Sequence, residues 1–429
     1  MNKYFFIFLT ILCGMLTVGC SSDSDGEDNN NSNNNSNNEP PVEIALSRSQ
    51  QDIVDAEARF AFDFFKQTSV WAGNEKNMVI SPLSLSIDLA MLANGAGEKT
   101  YQDIAAALHL PNATVDELNE VYEKLVGEML SADRKVELSI ANGMWSDNSV
   151  SIKDGFANAI KKHYTADIQS LDFSDRAGSM NTMNRWASEK TNGKISNLYN
   201  DENDLNDVKL VLCNALSFKG EWTSPFDKKG TQQWGFTNID ASESIVGMMF
   251  NADSKHIYSY ASTESAEIVS LPYGNRSFSM YVMLPSVGDA DTPYEQIYES
   301  FIENIDYDWW TESKEQMTNE NRLAVCLPKF KIETKCPMIG VTCLYELNDV
   351  VFNPDMSMMT DANINCLRLD QHTSIEVAEA GTVAASVSKG EIMSSSPGGT
   401  LMLINRPFIF LIEESSTGAI LFMGKVTKL

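Results

Sequence analysis

Residues 376–393, Glu376 to Met393, read EVAEAGTVAASVSKGEIM, which is the pattern of a strand that lacks a sheet. From Thr382 onward one parity carries Thr382, Ala384, Ser386, Ser388, Gly390 and Ile392, and the other Val383, Ala385, Val387, Lys389, Glu391 and Met393. Successive side chains of a strand point to opposite faces. The segment can therefore lay a small, uncharged face on a core and leave Lys389 and Glu391 in water. SSSPGG follows at once, and that composition belongs to an exposed loop. Two readings fit. One is a small-residue loop that stays a loop; the other is a loop that also serves as an inserted strand, hinged at Gly381, because glycine reaches backbone angles closed to other residues.

The chain around it offers strands to pair with. Val208–Phe218 (VKLVLCNALSF) is almost continuously apolar, as expected of a central strand covered on both faces. Asn214 interrupts the run; without partners it would cost about 1 to 3 kcal/mol there, so it is expected in a buried polar cluster. Glu137–Trp145 and the runs SFSMYVMLP, LAVCLPKFKI, RPFIFLIEE and AILFMGKV read as further strands bounded by turn residues. Earlier in the chain, Ile53, Ala56, Phe60, Ala61, Phe64 and Phe65 recur at helical spacing over Ser49–Thr68. NMVISPLSLSIDLAMLANGA combines a short apolar strand with a buried helix, Ser81 at its N-cap, Pro82 at its first position and Gly95 past its end. GAGEKT (Gly95–Thr100) lacks the spacing of a phosphate loop and follows a helix, so it reads as a cap, a turn and a new helix through Ile104 and Leu108. Gly155–Tyr164 is a helix with Phe156, Ile160 and Tyr164 on one stripe. Helices early and strands late describe an α+β protein.

The N-terminus carries an address. Met1–Gly19, with Lys3 before an apolar run, is an export signal too short to favour a membrane span. Gly19–Cys20 suggests a bacterial lipoprotein box with Cys20 lipidated as the new N-terminus; a plain signal peptide is the alternative. Residues 20–43, rich in Asn, Asp and Ser, form a disordered tether that a flexible-coil estimate gives a mean reach of roughly 25 Å. Its acidic start resembles surface-export signals of bacterial lipoproteins, which implies an outer-membrane, cell-surface protein, with secretion or the periplasm as alternatives. Residues 44–429 read as one domain, since no second linker or repeat interrupts them.

Composition excludes several function classes. The net charge of −27 argues against nucleic acid as a partner. Beyond Cys13 and Cys20, the cysteines are Cys213, Cys326, Cys336, Cys343 and Cys366, with no CxxC pair, and read mostly as buried thiols; Cys336 and Cys343 are the one pair to watch. No metal or cofactor site is expected. The four histidines, His109, His163, His256 and His372, accompany no GxSxG and no HExxH, so an enzyme is not expected.

Six stretches, in order, carry a family resemblance: NMVISPLSLSIDLAMLANGA, TNGKISNL, LCNALSFKGEW, LPKFKIE, EAGTVAAS and NRPFIFLIEESSTGAILFMGKV. The chain closely resembles a serpin. The resemblance implies three β-sheets with about eight or nine helices, and an exposed reactive loop, about 379–400, able to enter the central sheet. It maps the hinge onto Glu379, Gly381, Thr382, Ala384, Ala385 and Ser386, the shutter onto Ser81, Ser84 and Asn214, and the breach tryptophan onto Trp222. The shutter histidine aligns with Gln371, with His372 one place on. Glutamine can both donate and accept, so the network is expected to persist without a pH-sensitive member.

A serpin is bait for a protease: the enzyme's nucleophile forms an acyl-enzyme on the loop, which then inserts and carries the enzyme with it. About twelve inserted residues gaining 0.5 to 1.5 kcal/mol each would release on the order of 10 kcal/mol before entropy. The resemblance thus implies a monomeric suicide inhibitor of a serine protease, with papain-like cysteine proteases as a second target class and a non-inhibitory binding protein as the alternative. Thr382, Ala384, Ser386 and Ser388 place no charge or proline in the buried set, which favours the inhibitor. The family's spacing from Glu379 reaches Ser395, and from Pro407 reaches Ser396. The cut bond is therefore expected among Met393, Ser394, Ser395 and Ser396, a window suited to elastase-like pockets.

Overall fold

Ser47 opens the first helix, α1 (Arg48–Ala72), with a capping box: its side chain accepts from Gln50 N–H while the Gln50 side chain reaches back to the Ser47 N–H. The chain continues through β1 (Met78–Ile80), α2 (Pro82–Ala93), α3 (Glu98–Ala107), α4 (Val115–Met129), β2 (Val136–Asp147), α5 (Asp154–Tyr164), β3 (Asp167–Leu171), α6 (Arg176–Lys190) and β4 (Leu210–Gly220). Next come β5 (Gln232–Thr237), β6 (Glu243–Asn251), β7 (Tyr258–Ser262), β8 (Ala266–Pro272), β9 (Phe278–Pro285), α7 (Tyr294–Asn304) and α8 (Tyr307–Glu315). The last are β10 (Thr318–Glu320), β11 (Leu323–Pro328), β12 (Phe330–Pro337), α9 (Asn348–Val351), β13 (Leu367–Ala378), β14 (Gly381–Thr382), β15 (Thr400–Leu403), β16 (Phe408–Glu414) and β17 (Ile420–Val426).

This computed structural model describes residues 39–195, 197–251, 257–288, 291–320, 322–337, 347–382 and 400–429. The chain divides into two units, Met1–Ser36, which lies outside the described residues, and Asn37–Leu429. Cys20, Cys343, Ala384, Ala385, Ser386 and the Met393–Ser396 window also lie outside them. Among the described residues there are nine α-helices and three sheets, the α+β architecture expected. No described helix is long and apolar enough to cross a membrane.

The three sheets have strand orders β1-β17-β16-β9-β8-β7-β10, β15-β11-β6-β5 and β12-β13-β4-β2-β3. The last is the central sheet, with β14 attached to β13. Helix α2 is buried along its whole length and packs against β4 and β17. On the opposite side of the central sheet, Met180, Met183 and Ala187 of α6 meet Trp145, Val211 and Cys213. LAVCLPKFKI, read as one strand, is two: β11 pairs with β6 and β15, and after Pro328 the chain crosses into the central sheet as β12. Proline lacks the N–H that a continuing ladder needs, so the run breaks where Pro328 stands.

The thiols of Cys213 and Cys326 are free and buried, that of Cys366 is free and half-buried, and Cys336 is buried in β12.

Candidate functional site

Three consecutive carbonyls are held where β13 ends. Trp222 donates its indole N–H to Ala378 O at 2.9 Å. Its backbone N–H reaches Ala380 O at 2.9 Å, and Phe226 N–H reaches Glu379 O at 2.9 Å. The indole stacks on Tyr273 with ring centroids 4.4 Å apart. Glu379 is buried; its carboxylate accepts from Thr231 Oγ1 at 2.9 Å and pairs with Lys329 Nζ at 3.1 Å. Burial alone would raise its pKa, but its own backbone N–H, Lys329 and Thr231 together hold it below the ordinary value.

The chain then turns back on itself. Gly381 has φ 151°, and a Cβ there would lie 1.9 Å from Gly220 O, so only glycine fits. It pairs with Ala378 on one side and bridges antiparallel to Glu221 on the other. Thr382 pairs with Val377, is buried, and places Oγ1 2.8 Å from the Tyr273 hydroxyl. β14 is thus a first strand turn seated between β13 and the end of β4, antiparallel to both.

Beyond β14 the described strands β13 and β4 do not close on one another. β13 and β4 pair in parallel at Leu367–Leu210, Arg368–Val211 and Leu369–Leu212, and among the described residues no ladder pair joins them farther along. The same register sets Gln371 level with Asn214, and Val377 with Gly220. A cavity of about 220 Å³ lies along the parting, lined by Leu216, Ser217 and Phe218 of β4 and by Ser374 and Glu376 of β13. Two strand edges that meet no ladder partner among the described residues can take up a further strand.

The predicted shutter residues fall into two hydrogen-bonded groups, one on each side of the parting. On the β13 side, Gln371 clamps the Ser81 backbone: Ser81 N–H donates to Oε1 at 2.8 Å, and Nε2 donates to Ser81 O at 2.6 Å. Ser84 Oγ donates to Ser81 Oγ at 2.9 Å. On the β4 side, Asn214 donates to Asn142 Oδ1 at 2.6 Å, and Asn142 donates to Tyr164 O at 2.6 Å. The expected polar cluster at Asn214 is present, and it continues through the Tyr164 hydroxyl to Asn119 and Asn94.

His372 lies on the opposite parity from Gln371, with its ring edge-on to Tyr199. Burial, helped by Lys335 and Arg368, lowers its pKa to about 4, so it stays neutral at physiological pH. His109 and His163 instead form separate surface pairs with Asp63 and Glu123. A titratable group does stand near Asn214, however: burial pushes the Asp88 carboxyl well up, opposed only by the Asn214 backbone N–H.

Sequence reasoning missed Asn142, Tyr273, Thr231, Lys329 and Asp88. Only Asp88 left a local signal, a single carboxylate in an otherwise uncharged helix run. The others are ordinary residues whose partners lie far away in the chain.

A family profile described as Serpin (serine protease inhibitor) matches residues 55–429. A serpin-like protein of Methanosarcina acetivorans is 30% identical over 434 residues, covering 99% of this chain and 98% of its own length. A leukocyte elastase inhibitor of Xenopus laevis is 30% identical over 384 residues, covering 87% of this chain and 99% of its own. The native-state crystal structure of the thermophilic serpin tengpin superposes with a TM-score of 0.77 at 25% identity, covering 91% of this chain and 97% of that one.

Proposed function

Because the chain belongs to the serpin family, we propose that it is a suicide inhibitor of elastase-like serine proteases, trapping the acyl-enzyme by inserting residues 383 onward between β13 and β4. The observation that carries this reading is the seat of Gly381–Thr382: an entering strand has already begun, in register with both neighbours, at the mouth of an unpaired stretch of sheet. Continued in that register, Ala384, Ser386 and Ser388 would follow Thr382 onto the buried side, level with Ile375, Thr373 and Gln371. All are small and uncharged, so nothing in the set resists burial. The similarity to a leukocyte elastase inhibitor supports the choice of enzyme, as does the serine-rich window Met393–Ser396. We propose further that the protein is a monomer held at the cell surface by lipidated Cys20, with residues 20–43 as its tether.

The test is incubation with neutrophil elastase. The expected products are a complex stable to boiling in detergent and, after loop cleavage, a rise in melting temperature. An insertion worth on the order of 10 kcal/mol corresponds to roughly 10 to 20 °C in a domain of this size. Complete cleavage with neither product would instead assign a non-inhibitory, binding role.

A further inference from the structure

Residues 39–46 run into α1 without helix or strand of their own, yet they are fastened to the body of the domain. Val42 N–H donates to Ser277 Oγ at 2.9 Å, and Ile44 N–H to Ser416 Oγ at 3.0 Å. Pro40 O accepts from Asn275 Nδ2 at 3.4 Å, and Ala45 O accepts from Lys124 Nζ. Ile44 is buried, whereas residues 39–43 are exposed. Asn275 and Ser277 both belong to the turn that joins β8 to β9.

That turn needs support. Gly274 has φ 40° and Arg276 φ 80°, a left-handed angle that costs a non-glycine residue free energy and persists where the surroundings hold it. Asn275 N–H donates to Asp133 Oδ2 at 2.7 Å, and Ser415 N–H donates to Ser277 O at 2.8 Å. The Asn275 amide and the Ser277 hydroxyl both donate to Ala132 O. The opposite side of the turn faces the hinge. Gly274 N–H donates to Glu221 O at 2.8 Å, and Thr223 Oγ1 donates to Gly274 O at 2.9 Å. Tyr273, at the start of the turn, stacks on Trp222 and meets the Thr382 hydroxyl. Val42 is thus linked to Thr382 through one turn of five residues.

We infer that residues 39–46 are a positioning element for loop insertion: by fixing the Tyr273–Ser277 turn they hold Tyr273 where it seats Thr382. Freeing this arm loosens the first strand turn of the entering loop. The consequence for trapping rests on the inhibitor reading proposed above. A looser seat slows insertion and gives the acyl-enzyme longer to hydrolyse, while attack on the Met393–Ser396 bonds is untouched. Proteolytic trimming of the exposed residues 39–43 would weaken trapping in the same way.

The experiment compares the full chain with Val42→Pro, Ser277→Ala and the double variant. The first removes the donor and the second the acceptor of one hydrogen bond. Hydrogen–deuterium exchange, read by mass spectrometry on peptides spanning Gly220–Thr223 and Glu376–Thr382, needs no protease. Each single variant is expected to exchange about three- to tenfold faster there, the change in local opening that one lost hydrogen bond produces. The double variant should match Ser277→Ala alone, because both changes act on the same bond. With neutrophil elastase, the rate of attack on the loop stays within twofold of the parent while the stoichiometry of inhibition rises at least twofold. Should Ser277→Ala fail to fold, the exposed Val42→Pro decides alone. Exchange equal to the parent's overturns the inference and leaves the inhibitor reading standing. Effects that add in the double variant also overturn it, as does faster exchange with the parent's stoichiometry. Faster exchange in the variants of a parent that forms no complex supports the positioning of the seat and overturns the inhibitor reading alone.

Discussion

Glu379 shows how much one side chain can hold. It is buried, takes a hydroxyl from Thr231 and an ammonium from Lys329, and sits where the chain turns from β13 into the hinge. Removing one partner of such a pair leaves the other charge poorly compensated, at a cost of about 3 kcal/mol. Glu379→Ala should lower the free energy of unfolding by that order in chemical denaturation. Glu57 makes a different prediction. It is buried in α1, and burial raises its pKa from 4.5 to about 8. Unfolded, the carboxyl gives up its proton near 4.5; folded, it keeps it to about 8. Its contribution is therefore intact below 4.5 and is lost as the pH rises through about 8. Glu57→Gln should match the parent at pH near 4.5 and exceed it in stability at pH near 8, with a flatter profile between, as read from denaturation midpoints. These residues also mark the limit of reading side chains from sequence. Asn214 declared itself because an amide in an apolar strand must find a partner, whereas Tyr273 and Lys329 had nothing local to betray them.

Among the elements, the pairing of β13 with its neighbours is the decisive feature. β13 is bonded to β12 along most of its length, from Phe330–Val377 to Pro337–Asp370, but to β4 only at Leu367–Leu369. The hinge strand β14 starts in the remaining gap, with Thr382 turned against Tyr273. An arginine in place of Thr382 would have to bury a guanidinium in the seat that Thr382 shares with the Tyr273 hydroxyl, and the desolvation cost makes that position unavailable. Thr382→Arg should be cleaved by elastase to completion without forming the detergent-stable complex, which gel electrophoresis would show directly. A complex yield equal to the parent's would mean that burial of this position is not needed. Several elements could be read from the chain: α1 and α5 from helical spacing, α2 from the residues at its ends, β2, β4, β9, β16 and β17 from apolar runs. The division of LAVCLPKFKI between two sheets could not, because the apolar pattern continues across Pro328 while the hydrogen-bond partners change.

At the scale of the whole molecule, we propose that an address precedes the folded unit. If Cys20 carries the anchor, Cys20→Ser should move the protein from the membrane fraction to the soluble fraction of the producing cells. Retention in the membrane fraction would place the attachment elsewhere. A net charge of −27 favours solubility and repulsion between copies, as the proposed tethered monomer requires. The sequence by itself determined the family and the α+β architecture, and it sets which side chains of Thr382–Ile392 would share a face in a strand. Alternating side chains follow from the covalent geometry of a strand and need no partner to be read. Only the tertiary structure decided that β13 and β4 part beyond Leu369 and Leu212, that Gly381–Thr382 is seated beside β13 at the parting, and that an apolar hollow opens beside β15. Each of these depends on hydrogen bonds and contacts between strands distant in the chain, and local pattern carries no record of which partner a strand edge finds or fails to find.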